Sequence, residues 1–229
     1  MIAEFYENVL PIIKKFDLLV IDVRNNGGGN ALNGYKILEL LTGVKAEFGK
    51  SYSQYNNVYD IALASSIKHY KVQNIKDTVG IKMLNNSNIV ATSTLNNHVE
   101  GELPSLSNLN MENHEIFKGK IGILTSYKSG SATDDFAMFA KQIDQCKIYG
   151  TNTKGATGLI AVFELKNKMT FSLSSLDSRT NKGEKIQNVG IQPDFYVELD
   201  MNKLIKGKRD SQMEYALNHM RDKLERPKY

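Results

Sequence analysis

Two continuous apolar runs and one helical stripe dominate the hydrophobic pattern of this chain. Residues 17–23, DLLVIDV, are apolar without alternation and capped by charge, which predicts a central parallel strand buried on both faces. Residues 120–126, KIGILTS, predict a second such strand, and 145–150 a third. Phe136, Phe139, Ala140 and Ile143 recur at i, i+3, i+4 and i+7, so the segment after the second strand is a helix with an apolar face. Residues 3–15 predict a short helix with Phe5, Val9, Ile12 and Ile13 inward, despite Pro11. Residues 31–41 predict another, with Leu32, Tyr35, Ile37, Leu38 and Leu41 as packing positions.

Further along, 159–165 and 169–175 alternate around Lys166-Asn167-Lys168, the pattern of a hairpin. Residues 188–197 predict a turn and a short strand. A last helix is expected from a capping box, Ser211 with Glu214, burying Met213, Leu217, Met220 and Leu224. Residues 44–115 are rich in Asn, Ser and Tyr and interrupt this order. A helix over 58–70, a hairpin over 79–93 and an irregular loop over 94–113 are the expectations there. Strands alternating with helices make an α/β domain, and 229 residues suffice for one of good size.

Composition narrows the functional classes. The net charge of +4, from 29 basic and 25 acidic residues, is too even and too dispersed to predict a nucleic-acid partner. The lone cysteine, Cys146, excludes an internal disulfide and a cysteine-based zinc site within this chain. No apolar run is long enough for a transmembrane helix, and the acidic N-terminal stretch is unlike a signal peptide.

Two turns carry candidate chemistry. The first strand ends in Arg24-Asn25-Asn26-Gly27-Gly28-Gly29-Asn30 and leads into a helix. Three glycines there let the backbone approach a ligand with its N–H groups outward. No Gly-Lys-Ser/Thr follows, so this is not a Walker loop, and Leu32 stands where a dinucleotide fingerprint needs its third glycine. Glu47 lies at the distance of a ribose-binding acid, a weak signal by itself. An oxyanion hole or a plain tight turn remain open. At the second turn Ser131 stands at a strand-to-helix junction, followed by Ala132, Asp134 and Asp135. A serine in that place is an ordinary N-cap or an exposed nucleophile beside unpaired N–H groups.

Together these stretches resemble the tail-specific, or C-terminal processing, serine peptidase family. Its relatives include the tricorn core peptidase and the repeats of interphotoreceptor retinoid-binding protein. The family patterns D-x-R-x-N-x-G-G, S-A-x-E, G-x-x-T-x-G and G-V-x-P-D are matched in order at residues 22–29, 131–134, 150–155 and 190–194. Asp134 replaces the family's usual glutamate, and 44–115 is an unmatched insert. The resemblance implies a ClpP/crotonase-like βα core with Ser131 as nucleophile. Oxyanion donors would be the Ala132 N–H and a glycine N–H, that of Gly28, with Gly29, Thr153, Gly155, Leu159 and Ile160 contacting substrate laid as an added strand beside 159–163. Asp22 and Arg24 would brace the turn.

A base for Ser131 is not evident in the chain. The position that matches the processing branch's lysine is Ala156, and Lys154 falls short of it. The tricorn-like branch takes a histidine from upstream of the first strand, where this chain has none. His69, His98 and His114 lie in the insert and His219 in the last helix. Gln187 stands nearest to that branch's assisting glutamate, with Glu184 close by. The expectation is a serine endopeptidase core, cut from a longer protein whose upstream part supplies the base, a cap and a PDZ domain. It would cleave unfolded or C-terminal peptide, without metal or organic cofactor. An extracytoplasmic location, a membrane-associated setting through the upstream region and a homo-oligomer accord with the resemblance. The alternative is a relative that binds a peptide or apolar ligand without cutting.

Overall fold

A computed structural model describes residues 2–52, 64, 98–99, 115–158, 160–174 and 176–225. In chain order the first elements are α1 (Ile2–Glu4), a π-helical turn (Phe5–Val9), α2 (Leu10–Ile13), β1 (Leu18–Asp22), α3 (Ala31–Thr42), β2 (Lys50–Tyr52) and β3 (His98–Val99). Next come β4 (Lys120–Thr125), α4 (Ala132–Ala140), β5 (Cys146–Gly150), β6 (Ile160–Glu164), β7 (Thr170–Ser174) and β8 (Asp177–Arg179). The chain closes with β9 (Phe195–Tyr196), α5 (Met201–Gly207) and α6 (Ser211–Glu225). It divides into two compact units. One comprises Met1–Phe48, Asn110–Ala156 and Asn188–Tyr229; the other comprises Gly49–Leu109 and Thr157–Gln187.

The first unit is built on a four-stranded sheet of order β1-β4-β5-β9, parallel throughout. Because strand side chains alternate, Gly122, Leu124 and Tyr149 share one face and Ile121, Ile123 and Ile148 the other. Helix α6 covers the first face: Ala216 and Met220 pack on Leu124 and Tyr149, with Leu18, Val20 and Phe195 at the margin. Gly122 leaves room for the Met220 thioether, which a Cβ there would meet at 2.9 Å. His219 donates to or accepts from the Tyr149 hydroxyl at 2.9 Å and lies against Phe195, so it serves the core. Burial pushes the Tyr149 hydroxyl up to about 12, with the nearby Asp194 charge adding to the shift. Helix α3 packs against α4, and Tyr35, Phe48 and Phe139 form an aromatic cluster.

Several sequence expectations need correction. Among the described strands β1 is at the end of the order, not central, and most of its residues are only half-buried. The strands with a neighbour on each side are β4, buried from its second residue onward, and β5. In the N-terminal helical stretch Leu10 is the buried residue, whereas Val9 and Ile12 are exposed. Pro11 falls at the start of α2, where a missing N–H costs least. Helix α6 is capped by Asp210, whose Oδ1 accepts from the Gln212 and Met213 N–H groups, not by a Ser211–Glu214 box. Ser211 instead bonds to the 198–200 segment, and Glu214 pairs with Arg209.

In the second unit β6 and β7 form the expected antiparallel hairpin, Ile160 opposite Ser174 and Glu164 opposite Thr170. A separate three-stranded sheet has the order β3-β2-β8. The 94–113 segment is therefore not wholly irregular, since His98–Val99 pairs with β2. The helix expected over 58–70, apart from residue 64, and the hairpin expected over 79–93 lie outside the described residues, as do Leu159, His69 and His114. Among the described residues no helix is long and apolar enough to cross a membrane.

Candidate active site

The junction between β4 and α4 sets Ser131 apart from an ordinary helix start. Ser131 is the N-cap of α4, at φ 56° and ψ −125°, a region that L-residues enter at a cost of about 1–3 kcal/mol. Its carbonyl accepts from the Asp134 N–H at 2.7 Å, so the backbone begins the helix. The hydroxyl makes no capping hydrogen bond. The exposed side chain is thus held by the turn without being used by it. The Ala132 N–H, first in the helix, meets no acceptor among the described residues.

The glycine turn after β1 is fastened to this junction. Ser129 Oγ donates to the Val23 carbonyl at 2.7 Å, Ser126 Oγ to the Arg24 carbonyl at 2.5 Å, and the Gly130 N–H to the Asn26 carbonyl at 3.1 Å. Gly28 lies directly on Ser131. At its φ of 116° a Cβ would sit 2.6 Å from the Ser131 Cβ and 3.1 Å from the Ala132 nitrogen. Only glycine fits there. The Gly28 N–H donates to Asn26 Oδ1 at 2.9 Å, so this donor is engaged within the turn. A cavity of about 520 Å³ opens beside it, with Asp22, Asn25, Asn26 and Gly27 in its lining.

Arg24 braces the turn through an ion network. Its Nε and Nη2 bond to Asp22 at 2.9 and 2.6 Å, and its Nη1 and Nη2 to Asp210 at 3.0 and 2.6 Å. Gln212 Oε1 accepts a further bond from Nη1 at 3.1 Å. The hydrogen bond from Arg24 holds the Asp22 carboxyl below its ordinary range. Partial burial opposes the same shift at Asp210, but Arg24 and the α6 N–H groups outweigh it and lower that carboxyl too.

On the other side of Ser131 the third and fourth matched stretches meet. The Thr153 N–H donates to the Ile191 carbonyl at 3.1 Å, and Thr153 Oγ1 accepts from the Ile191 N–H at 2.7 Å. Asp134, fully buried in the first turn of α4, accepts from the Gly155 N–H at 2.9 Å and the Ala156 N–H at 3.1 Å. This is more than the helix-dipole partner that its position alone would make it. Burial raises its carboxyl, and the hydrogen bonds from Thr153, Gly155, Ala156 and Ser131 pull it back only in part. Asp135 is pushed up to about 7, by burial and then by the Asp134 charge.

The remaining sequence candidates separate by location. Asp22, Gly28, Gly29, Ser131, Ala132, Asp134, Thr153 and Gly155 belong to the first unit. Ile160, Glu184 and Gln187 belong to the second. There the Thr157 hydroxyl donates to Gln187 Oε1 at 3.3 Å, Glu184 pairs with Thr180, and Ile160 is exposed. The stem of Lys154 lies across Gly130, where a Cβ would meet its Cδ at 3.2 Å, and its N–H donates to the Ser129 carbonyl. Lys154 is therefore packed on the residue before Ser131, although it is exposed overall. Sequence reasoning missed Asp210 and Gln212. The available signal was an aspartate directly before the apolar spacing of α6, the position of an N-cap.

The fold has solved counterparts. The structure of mature CPAF complexed with lactacystin matches with a TM-score of 0.64 and 19% identity, over 95% of this chain and 46% of that one. A putative peptidase from Parabacteroides merdae matches with a TM-score of 0.59 and 22% identity, over 90% and 53%. A putative S41 protease from Bacteroides fragilis matches at 0.53 and 12%, over 95% and 49%. At these identities the likeness establishes the fold, and this chain spans about half the length of those proteins. No curated protein sequence matches it significantly. The sequence model of peptidase family S41 matches residues 1–197, which includes all four stretches gathered around Ser131, and the chain belongs to that family.

Proposed function

We propose that this chain is the core of a serine endopeptidase that cleaves unfolded or C-terminal peptide by acyl transfer through Ser131. The observation that carries the reading is the state of Ser131: a positive-φ N-cap whose hydroxyl caps nothing, against Gly28 and beside the Ala132 N–H, which meets no acceptor among the described residues. In the first step Ser131 Oγ attacks the scissile carbonyl carbon and its proton passes to a base. The tetrahedral oxyanion is met by the Ala132 N–H and by a donor of the glycine turn. Gly28 fills that second role once its N–H exchanges Asn26 Oδ1 for the substrate oxygen. The C–N bond then breaks, the amine leaves with a proton from the base, and water hydrolyses the Ser131 ester. On this reading the base comes from outside this segment, because among the described residues Ala156, at the matching lysine position, has no proton-accepting side chain and His219 bonds to Tyr149.

A fluorophosphonate probe applied to the full-length protein tests this reading. The expected result is covalent labelling that disappears in Ser131→Ala. A folded full-length protein that binds peptide but is not labelled overturns it in favour of a relative that holds peptide without cutting.

A further inference from the structure

We infer that Asp210 is a positioning residue for the oxyanion side of the site, acting through Arg24, although it lies beyond the residues that the family model matches. The inference rests on Ser131 being the nucleophile. Arg24 is the hub of the connection. Its side chain is only 16% exposed, and each of its side-chain nitrogens has a carboxylate or amide partner. Two of those partners, Asp210 and Gln212, are in or directly before α6.

Helix α6 is itself fixed to the sheet. Ala216 and Met220 are buried in the core, the Lys120 ammonium donates to the Met220 carbonyl at 2.8 Å, and His219 bonds to Tyr149. Gln212 is almost fully buried and its amide donates to the Val197 carbonyl at 2.7 Å. The guanidinium is thereby attached to a rigid support at one end. At the other end the Arg24 carbonyl takes the Ser126 hydroxyl, and its neighbours Val23 and Asn26 take Ser129 and Gly130. The path from α6 to the Gly28–Ser131 contact runs through these hydrogen bonds and the short covalent stretch from Arg24 to Gly28. A fork of two parallel N–H···O bonds fixes direction as well as distance, which a lone lysine contact would not do.

The prediction separates placement of the turn from stability of the helix. Asp210→Ser keeps an N-cap for α6 and removes the reach to Arg24. In the full-length protein, its maximal labelling rate by the fluorophosphonate is expected to fall about tenfold, with the half-saturating probe concentration unchanged. Combined with Arg24→Ala it is expected to add nothing beyond Arg24→Ala alone, because both cut the same path. Asp210→Asn, which keeps both the cap and the shape, supplies the same comparison should the serine variant fail to fold. A maximal rate equal to wild type, or losses that simply add in the double variant, overturns the inference while leaving Ser131 as nucleophile. A wild-type protein that does not label overturns both.

Discussion

The two flanks of the Ser131 turn do the same task by different means. On one flank Arg24 joins the glycine turn to α6 through carboxylates that remain partly open to water. On the other the fully buried Asp134 takes the N–H groups of Gly155 and Ala156. Surface ion pairs are individually weak and screened by salt, whereas a buried carboxylate is costly to form and costlier to leave without its donors. The Arg24 flank is thus the more water-exposed and salt-sensitive side of the site, and the Asp134 flank is the rigid one.

The largest effect is expected at the rigid flank. Asp134→Ala leaves the buried Gly155 N–H and the part-buried Ala156 N–H without their acceptor and should cost about 3 kcal/mol, read from urea unfolding. A loss no greater than that of Asp210→Ser would erase the distinction between the flanks. Next in size is Gly28→Ala, where contact between glycine turn and Ser131 leaves no room for a Cβ. About 2 kcal/mol should be lost, with a drop in probe labelling, because the residue must also hold a positive φ. Unchanged stability would mean that the turn moves freely.

The smallest effect is one of pH, and the flanks should respond with opposite signs. Asp22 and Asp210 titrate below their ordinary range, so their contribution is present above about pH 4 and is lost as acid protonates them. Asp135 titrates at about 7 when folded, so the wild type loses stability as pH rises from about 4 through 7. Asp135→Asn is therefore expected to raise Tm at about pH 8 and to change it little at about pH 4. A gain at both pH values would assign the effect to packing instead of charge.

How much of this was legible in the sequence follows from how local each signal is. The apolar runs 17–23 and 120–126 announced β1 and β4, and the alternation on either side of Lys166-Asn167-Lys168 announced the β6–β7 hairpin. Four ordered motifs announced the family and that Ser131 and the glycine turn would meet. The place of β1 in the sheet was not legible, because an apolar run reports burial of side chains and not the number of neighbouring strands. Helix α5 was missed because Met201 and Ile205 are exposed and leave no inward stripe. The partners of Arg24 and Asp134 were hidden for another reason. Hydrogen bonds spanning 186 and 21 positions leave no periodic trace, and only the fold brings those residues together.

The backbone of Ser131 has a consequence for the history of such chains. A serine in that conformation makes the fold worse, and glycine would relieve it at once. Once chemistry is abandoned, drift at this codon runs downhill toward the smaller residue. Under the proposed function, serine here trades backbone ease for a hydroxyl, and a relative with glycine at this position would have no nucleophile to cut with.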